Sequence, residues 1–179
     1  MNAPNTPSAL MLADINAGDA ARVVQRLGGV FEHSPWVAER AAAARPYGAA
    51  ADVHAAMVSV VRSASLDEQL ALIRAHPELA GREAVEGVMT ADSTSEQGRL
   101  GLTALPRNEF ERITRINCAY REKFGFPCIV ALRLHQTRDS VLAEMEQRLN
   151  NDREKEINNA LAQIAHITRG RIDKLFGAG

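Results

Sequence analysis

Aromatic side chains are scarce in this 179-residue chain: one Trp, two Tyr and five Phe make up 4% of it. Strands draw on aromatic and β-branched residues, whereas Ala, Leu, Arg and Glu abound here, so the balance points away from a sheet-rich fold and toward an all-α class. Cysteine is nearly absent. Cys118 and Cys128 cannot build a disulfide framework, and neither has a histidine at a telling spacing, so both read as small buried hydrophobes rather than nucleophiles. His33, His54, His76, His135 and His166 are scattered without metal-ligand spacing, and no glycine-rich phosphate loop follows a strand. No apolar run approaches ~18 residues, and Met1 to Ser8 lacks the basic and apolar regions of a secretory signal, which argues against membrane spanning and export. Neither sign of charge is in excess. With 21 Lys+Arg against 22 Asp+Glu the net charge is −1, so no global field draws nucleic acid or an anionic membrane. A cytoplasmic protein without structural zinc, nucleic-acid partner or membrane partner is the expectation.

What the chain does contain is an ordinary 46% of hydrophobic and 24% of charged residues, enough to fold and too balanced for disorder. At ~100–200 residues per domain it reads as one domain over residues 9–179 behind a frayed leader, residues 1–8. Helix punctuation is frequent. Asp19 caps a helix with Ala20, Val23, Val24 and Leu27 on one face, ended by Gly28-Gly29. Ser34-Pro35 reads as a cap followed by a proline at the first helical position. Asp52 opens a helix with Val53, Met57 and Val60 inward, and Ser65-x-x-Glu68 is a capping box for the helix that ends at His76, because Pro77 disfavours helical backbone before it. Residues 77–106 have little sustained periodicity and read as a long functional loop, with a short helix starting near Ser93. Phe110, Ile113, Asn117, Tyr120 and Phe124 form one stripe of the clearest helix, Arg107 to Phe124, which Gly125 ends. Pro127 keeps Phe126-Pro127-Cys128-Ile129-Val130 extended. Asp139 or Ser140 begins a helix using Leu142, Met145 and Leu149, and Asp152 the last one, with Ile157, Leu161, Ile164, Thr168, Arg171 and Leu175 inward. The whole is a compact bundle of about seven to nine helices with a long active-site loop.

Taken residue by residue, the candidates for chemistry leave alternatives open. Arg171 on an apolar stripe must snorkel, pair with an acid or hold an anionic ligand, whereas Arg169, about 200° away around the helix, faces solvent. His76 at a helix C-terminus suits the helix dipole without further role, yet Pro77 also projects it beyond the helix. Ser93-x-x-Glu96 reads equally as a capping box. Asn117 on its stripe must be hydrogen-bonded to backbone or to a ligand.

Phe31-Glu32-His33-Ser34-Pro35-Trp36, Ala75-His76-Pro77-Glu78-Leu79-Ala80-Gly81, Ser93-x-x-Glu96-Gln97 and Phe124-Gly125-Phe126-Pro127, in that order, resemble the 2-oxo-4-hydroxy-4-carboxy-5-ureidoimidazoline (OHCU) decarboxylases over roughly Ile15 to Phe176. The resemblance implies an all-α fold, usually a homodimer, and the last step of urate degradation, in which OHCU loses CO2 and becomes (S)-allantoin with no metal or organic cofactor. It places the catalytic histidine at His76 and the active-site glutamate at Glu96. The substrate would be lined by Pro77, Ser93, Gln97 and the loop Phe126, Pro127, Cys128, Ile129 and Val130, Cys128 standing where the family commonly has another apolar residue. The substrate arginine falls on Arg171, with Arg169 as the neighbouring register.

The chemistry agrees with these residue types. Loss of a carboxylate beside C=O and C=N groups leaves an enolate-like carbanion, which the site must stabilise and protonate on one face. Histidine, with an unperturbed pKa of ~6.5, is a ready acid near neutrality, and a neighbouring carboxylate favours its protonated form. Two other classes remain at this point: a non-catalytic helical binding module, and a cofactor-free hydrolase of a related ureido compound. Because the histidines lack ligand spacing, chelators are expected to leave the rate of allantoin formation intact; a loss reversed by adding metal back would overturn the cofactor-free reading.

Overall fold

A computed structural model describes residues 7–177. Among these residues it contains ten α-helices, two single-turn 3₁₀ segments and no strand. The all-α expectation holds, while the helix count exceeds the range expected from periodicity. Two helices lie outside the individually expected ones: α1 (Pro7–Ala17), which takes in the last two residues of the expected leader, and α6 (Arg82–Glu86), a short turn inside the expected loop. The remainder of that leader, residues 1–6, lies outside the described residues.

The chain divides into two compact units. One holds the chain up to Leu72 together with Thr168 onward, and the other is Ile73–Ile167. The division falls inside two helices, α5 (Leu66–Arg74) and α10 (Arg153–Leu175). The first unit also contains α2 (Ala20–Leu27), α3 (Trp36–Ala41) and α4 (Ala50–Ser63). Asp19 caps α2 as expected, accepting from Arg22 N at 2.9 Å, and the Ser65/Glu68 box is formed in both directions, at 3.3 and 3.0 Å. At α3 the expectation fails in detail. Pro35 itself takes the cap position, and Ser34, 4% exposed, supplies a carbonyl to Val37 N rather than a capping hydroxyl. On α4 the buried stripe is Val53, Met57 and Val61 in steps of four, so Val61 replaces Val60. At the end of α10, Ile172 and Phe176 are buried and Leu175 is 37% exposed, because the inward face drifts by one position over its 23 residues.

The Ile73–Ile167 unit is built from α6, α7 (Ala91–Arg99), α8 (Arg107–Phe124), α9 (Arg138–Arg148) and most of α10. Ile113, Tyr120 and Phe124 of α8 are buried with Asn117, whereas Phe110, one turn from the helix start, is 39% exposed. Gly125, at φ 79°, ends α8 in the left-handed conformation that glycine adopts without a Cβ penalty. Into this apolar interior the fold admits an ion pair. Arg148 of α9 donates through Nε to Glu156 at 2.9 Å, and Glu156 is fully buried. Such a pair survives desolvation only when its remaining polar atoms are satisfied. Here Tyr120 Oη donates to Glu156, as do Asn151 Nδ2 at 2.6 Å and Asn159 Nδ2 at 2.7 Å, while Arg148 Nη1 reaches Ile129 O at 2.7 Å and Glu144 at 3.1 Å.

Burial alone pushes the Glu156 carboxyl up, but its hydrogen bonds and Arg148 outweigh that and hold it below its ordinary 4.5. A carboxyl lowered in the folded chain contributes stability above its unfolded pKa and loses it as pH falls through the folded value. Urea midpoints are therefore expected to fall once the pH drops below the ordinary value of 4.5, and to fall less steeply in Glu156→Gln; equal slopes would show that Glu156 is not the group responsible.

Candidate active site

His76 stands two residues beyond α5. Its backbone N–H donates to Ile73 O at 3.2 Å, Pro77 stops the helix from continuing, and the histidine is only 6% exposed. The chain then turns sharply. Ala80 lies at φ 47°, unusual for a residue with a Cβ, and Gly81 N closes the turn on Glu78 O at 3.2 Å. A Cβ on Gly81 would come within 2.6 Å of the Glu78 Cβ, so the close approach requires glycine there. Burial pushes the Glu78 carboxyl up, opposed by the Arg121 guanidinium at 2.8 Å.

The second segment is α7, and its N-cap is Thr90, whose hydroxyl accepts from Ser93 N at 3.3 Å. Ser93-x-x-Glu96 is therefore not the capping box that its spacing allows. Ser93, Glu96 and Gln97 stand at i, i+3 and i+4 inside the helix, on one face, with Ser93 and Gln97 buried and Glu96 half-buried. That face abuts the turn after His76: Gln97 Oε1 accepts from Ala80 N at 2.9 Å and its Nε2 donates to Glu78 O at 3.2 Å.

The third segment, Phe126 to Val130, forms neither helix nor strand, and all of it but the half-buried Pro127 is buried, as expected. Phe126 is anchored among Tyr120 and Phe124, with ring centroids 6.0 Å away in each case. Arg74, at the end of α5, donates to Gly125 O at 3.1 Å and so pins the helix before His76 to the residue before Phe126. Beyond the segment, Gln163 Oε1 accepts from Ala131 N at 2.7 Å, and Arg99 at the end of α7 donates to Leu132 O and to His135 O. Burial pushes the Cys128 thiol up to about 12, so it stays protonated near neutrality and serves as a small apolar filler.

His76, Pro77, Ser93, Glu96, Gln97 and Phe126 to Val130 thus share the Ile73–Ile167 unit, where hydrogen bonds lace their segments together. Arg171 belongs to the other unit. There it does not snorkel: it is 5% exposed, its Nη1 pairs with Glu32 at 2.7 Å and donates to Val30 O at 3.3 Å. Arg169 lies on the more open side and pairs with Asp173 at 2.8 Å. The residues that sequence reasoning missed are Arg148, Glu156 and Gln163. Arg148 carried the same signal as Arg171, since it continues the buried stripe of Val141 and Met145, but Glu156 and Gln163 have no signal of that kind. Among the described residues no cluster of His, Cys, Asp and Glu is arranged to hold a metal ion, and no helix is long and apolar enough to cross a membrane.

This helical architecture is found in a crystal structure of OHCU decarboxylase determined in the presence of (S)-allantoin. At a TM-score of 0.66 and 19% identity, over 89% of this chain and 99% of that one, the likeness speaks for the fold. A crystal structure of (S)-allantoin synthase superposes at a TM-score of 0.70 with 30% identity, covering 92% of this chain and 53% of the other, so this chain spans about half of that protein. An OHCU decarboxylase from Haloferax volcanii is 37% identical over 94% of this chain and 98% of its own length. The OHCU decarboxylase family model matches residues 16–173, and the chain belongs to that family. The resemblance drawn from the sequence strings is borne out, and the activity class is that of a decarboxylating lyase.

The two arginines should separate in a stability measurement. Arg171→Ala leaves Glu32 buried without its cation and is expected to destabilise the fold by about 3–5 kcal/mol, whereas Arg169→Ala breaks a half-exposed pair and should cost about 1 kcal/mol or less. Denaturant midpoints check this; equal losses would contradict the assigned burial.

Proposed function

We propose that the chain converts OHCU to (S)-allantoin and CO2 without a metal or organic cofactor, with His76 as general acid and Glu96 as the carboxylate that sustains its protonated form. The observation that carries this reading is the capping of α7 by Thr90. It shows that Ser93 and Glu96 do not form the N-terminal capping box, and they stand on the helix face whose Gln97 is bonded to the turn following His76.

In the reaction the bond between C4 and its carboxylate breaks, CO2 leaves, and the electron pair passes toward the adjacent C5=N bond, giving an enol-like C4=C5 species. The imidazolium of His76 then delivers its proton from one side to C5, the carbon that carries the ureido group, which sets the S configuration, while the C4 hydroxyl gives up its proton and becomes the carbonyl of allantoin. Pro77, Ser93 and the Phe126 to Val130 segment line the substrate, the backbone around Ile129 binding its oxygens. The family resemblance gives Arg171 the task of orienting the anionic group, and its bond to Glu32 fixes the guanidinium in place. The resemblance also supports a homodimer acting in the cytoplasm on this small-molecule substrate.

The test is a double-mutant cycle on freshly generated OHCU, following the rate and handedness of allantoin formation, with circular dichroism as the folding control. His76→Asn is expected to lower the rate by about 10²–10⁴-fold. Glu96→Gln should also be badly impaired, and the double variant little worse than His76→Asn alone, because both act in one proton transfer. Near-normal rates in folded His76→Asn would remove the mechanism, and a product other than allantoin would favour hydrolysis of a ureido compound.

A further inference from the structure

The turn that carries the chain away from His76 is buried, and its own backbone supplies it only the bond from Gly81 N to Glu78 O, leaving Leu79 O and Ala80 N to partners from elsewhere. Leu79 and Ala80 are 6% and 5% exposed, and Ala80 is held at a positive φ that a residue with a Cβ seldom adopts. Buried backbone polar groups require partners. Two carboxamides from different helices supply them for consecutive residues. From α7, Gln97 donates to Glu78 O at 3.2 Å and accepts from Ala80 N at 2.9 Å; from α8, Asn117 Nδ2 donates to Leu79 O at 2.9 Å. Asn117 is 5% exposed, and among the described residues its Oδ1 has no hydrogen-bond partner. A carboxamide buried at that desolvation cost for a single bond is accounted for by what that bond holds.

We propose that Gln97 and Asn117 are positioning residues, a two-amide clamp on the turn Glu78 to Ala80 that fixes His76 in the geometry its proton transfer needs. The proposal rests on His76 being the general acid. It reassigns Gln97, which the family resemblance places against the substrate: its carboxamide is engaged with backbone, so its effect on the reaction passes through His76. A donor displaced by about 1 Å loses on the order of 10²-fold in rate, so the loss of either amide should appear in kcat rather than in substrate capture.

The test compares Gln97→Met, Asn117→Leu and Gln97→Glu with the unsubstituted chain in steady-state allantoin formation, together with hydrogen exchange at the Ala80 amide. Gln97→Met and Asn117→Leu are expected to lower kcat by about 10–100-fold, with KM unchanged within about twofold. Gln97→Glu keeps the acceptor for Ala80 N–H and should restore part of kcat. Exchange at Ala80 should quicken in Gln97→Met and slow again in Gln97→Glu. Placed in His76→Asn, Gln97→Met should cost nothing further, since the clamp works through the histidine. If Gln97→Met does not fold, Asn117→Leu and Gln97→Glu carry the same comparison. A raised KM with kcat retained, or a Gln97 effect that persists in the His76→Asn background, overturns the clamp in favour of direct substrate contact. Unchanged kcat in both amide variants, with His76 still essential, overturns the proposal alone. An inactive parent chain, or a fully active His76→Asn, overturns the functional reading and the clamp with it.

Discussion

A guanidinium and a carboxylate withdrawn from water, Arg148 of α9 and Glu156 of α10, are the constraint on which the Ile73–Ile167 unit depends. Desolvating both ions is costly, and the cost is offset only because each remaining donor and acceptor finds a partner. Glu156 accepts from Tyr120, Asn151 and Asn159 as well as from Arg148, while Arg148 reaches Glu144 and the carbonyl of Ile129. The network therefore joins α8, α9 and α10 and fixes one further thing, the path of an otherwise irregular segment. With Gln163 holding Ala131 N, it dictates where the backbone from Phe126 onward runs. That segment has no helix or sheet of its own, so side chains from regular elements stand in for the hydrogen bonds that secondary structure would have provided.

The same substitution of side chains for secondary structure recurs at the turn after His76. Gln97 and Asn117 satisfy that turn from two helices, and Arg74 ties the preceding helix to Gly125. Reactive geometry demands tolerances of about 0.5 Å, and loops reach them only when rigid neighbours hold their backbone. The family's short sequence strings correspond to these attachments. His76-Pro77 supplies the break in the helix, Gly81 the close approach to Glu78, and Gly125 the left-handed exit from α8. His76 and the α7 face thus sit on a scaffold whose polar interior serves largely to hold backbone in place.

Helix-forming composition, the Asp19 cap, the Ser65/Glu68 box, Pro77 and Gly125 each act over a few residues, so the chain by itself determined the helical class, most helix limits and the break at His76. The ordered strings around His76, Ser93 to Gln97 and Phe124 to Pro127 also made the family legible. Local patterns were silent where two readings share one spacing. Ser93-x-x-Glu96 is a capping box or part of a helix interior according to which residue caps α7, and only the folded chain shows Thr90 in that place. Val61 rather than Val60, and Ile172 and Phe176 rather than Leu175, face inward because a stripe rotates with helix length and its neighbours select the phase. Arg171 carries no mark in the sequence that it will pair with Glu32, 139 positions away, nor Arg148 that it will meet Glu156 across a turn. Tertiary structure alone decided those pairings and the two-amide hold on the turn after His76, because burying an ion or an amide is tolerated only where a partner arrives from elsewhere in the chain, and that arrival is a property of packing.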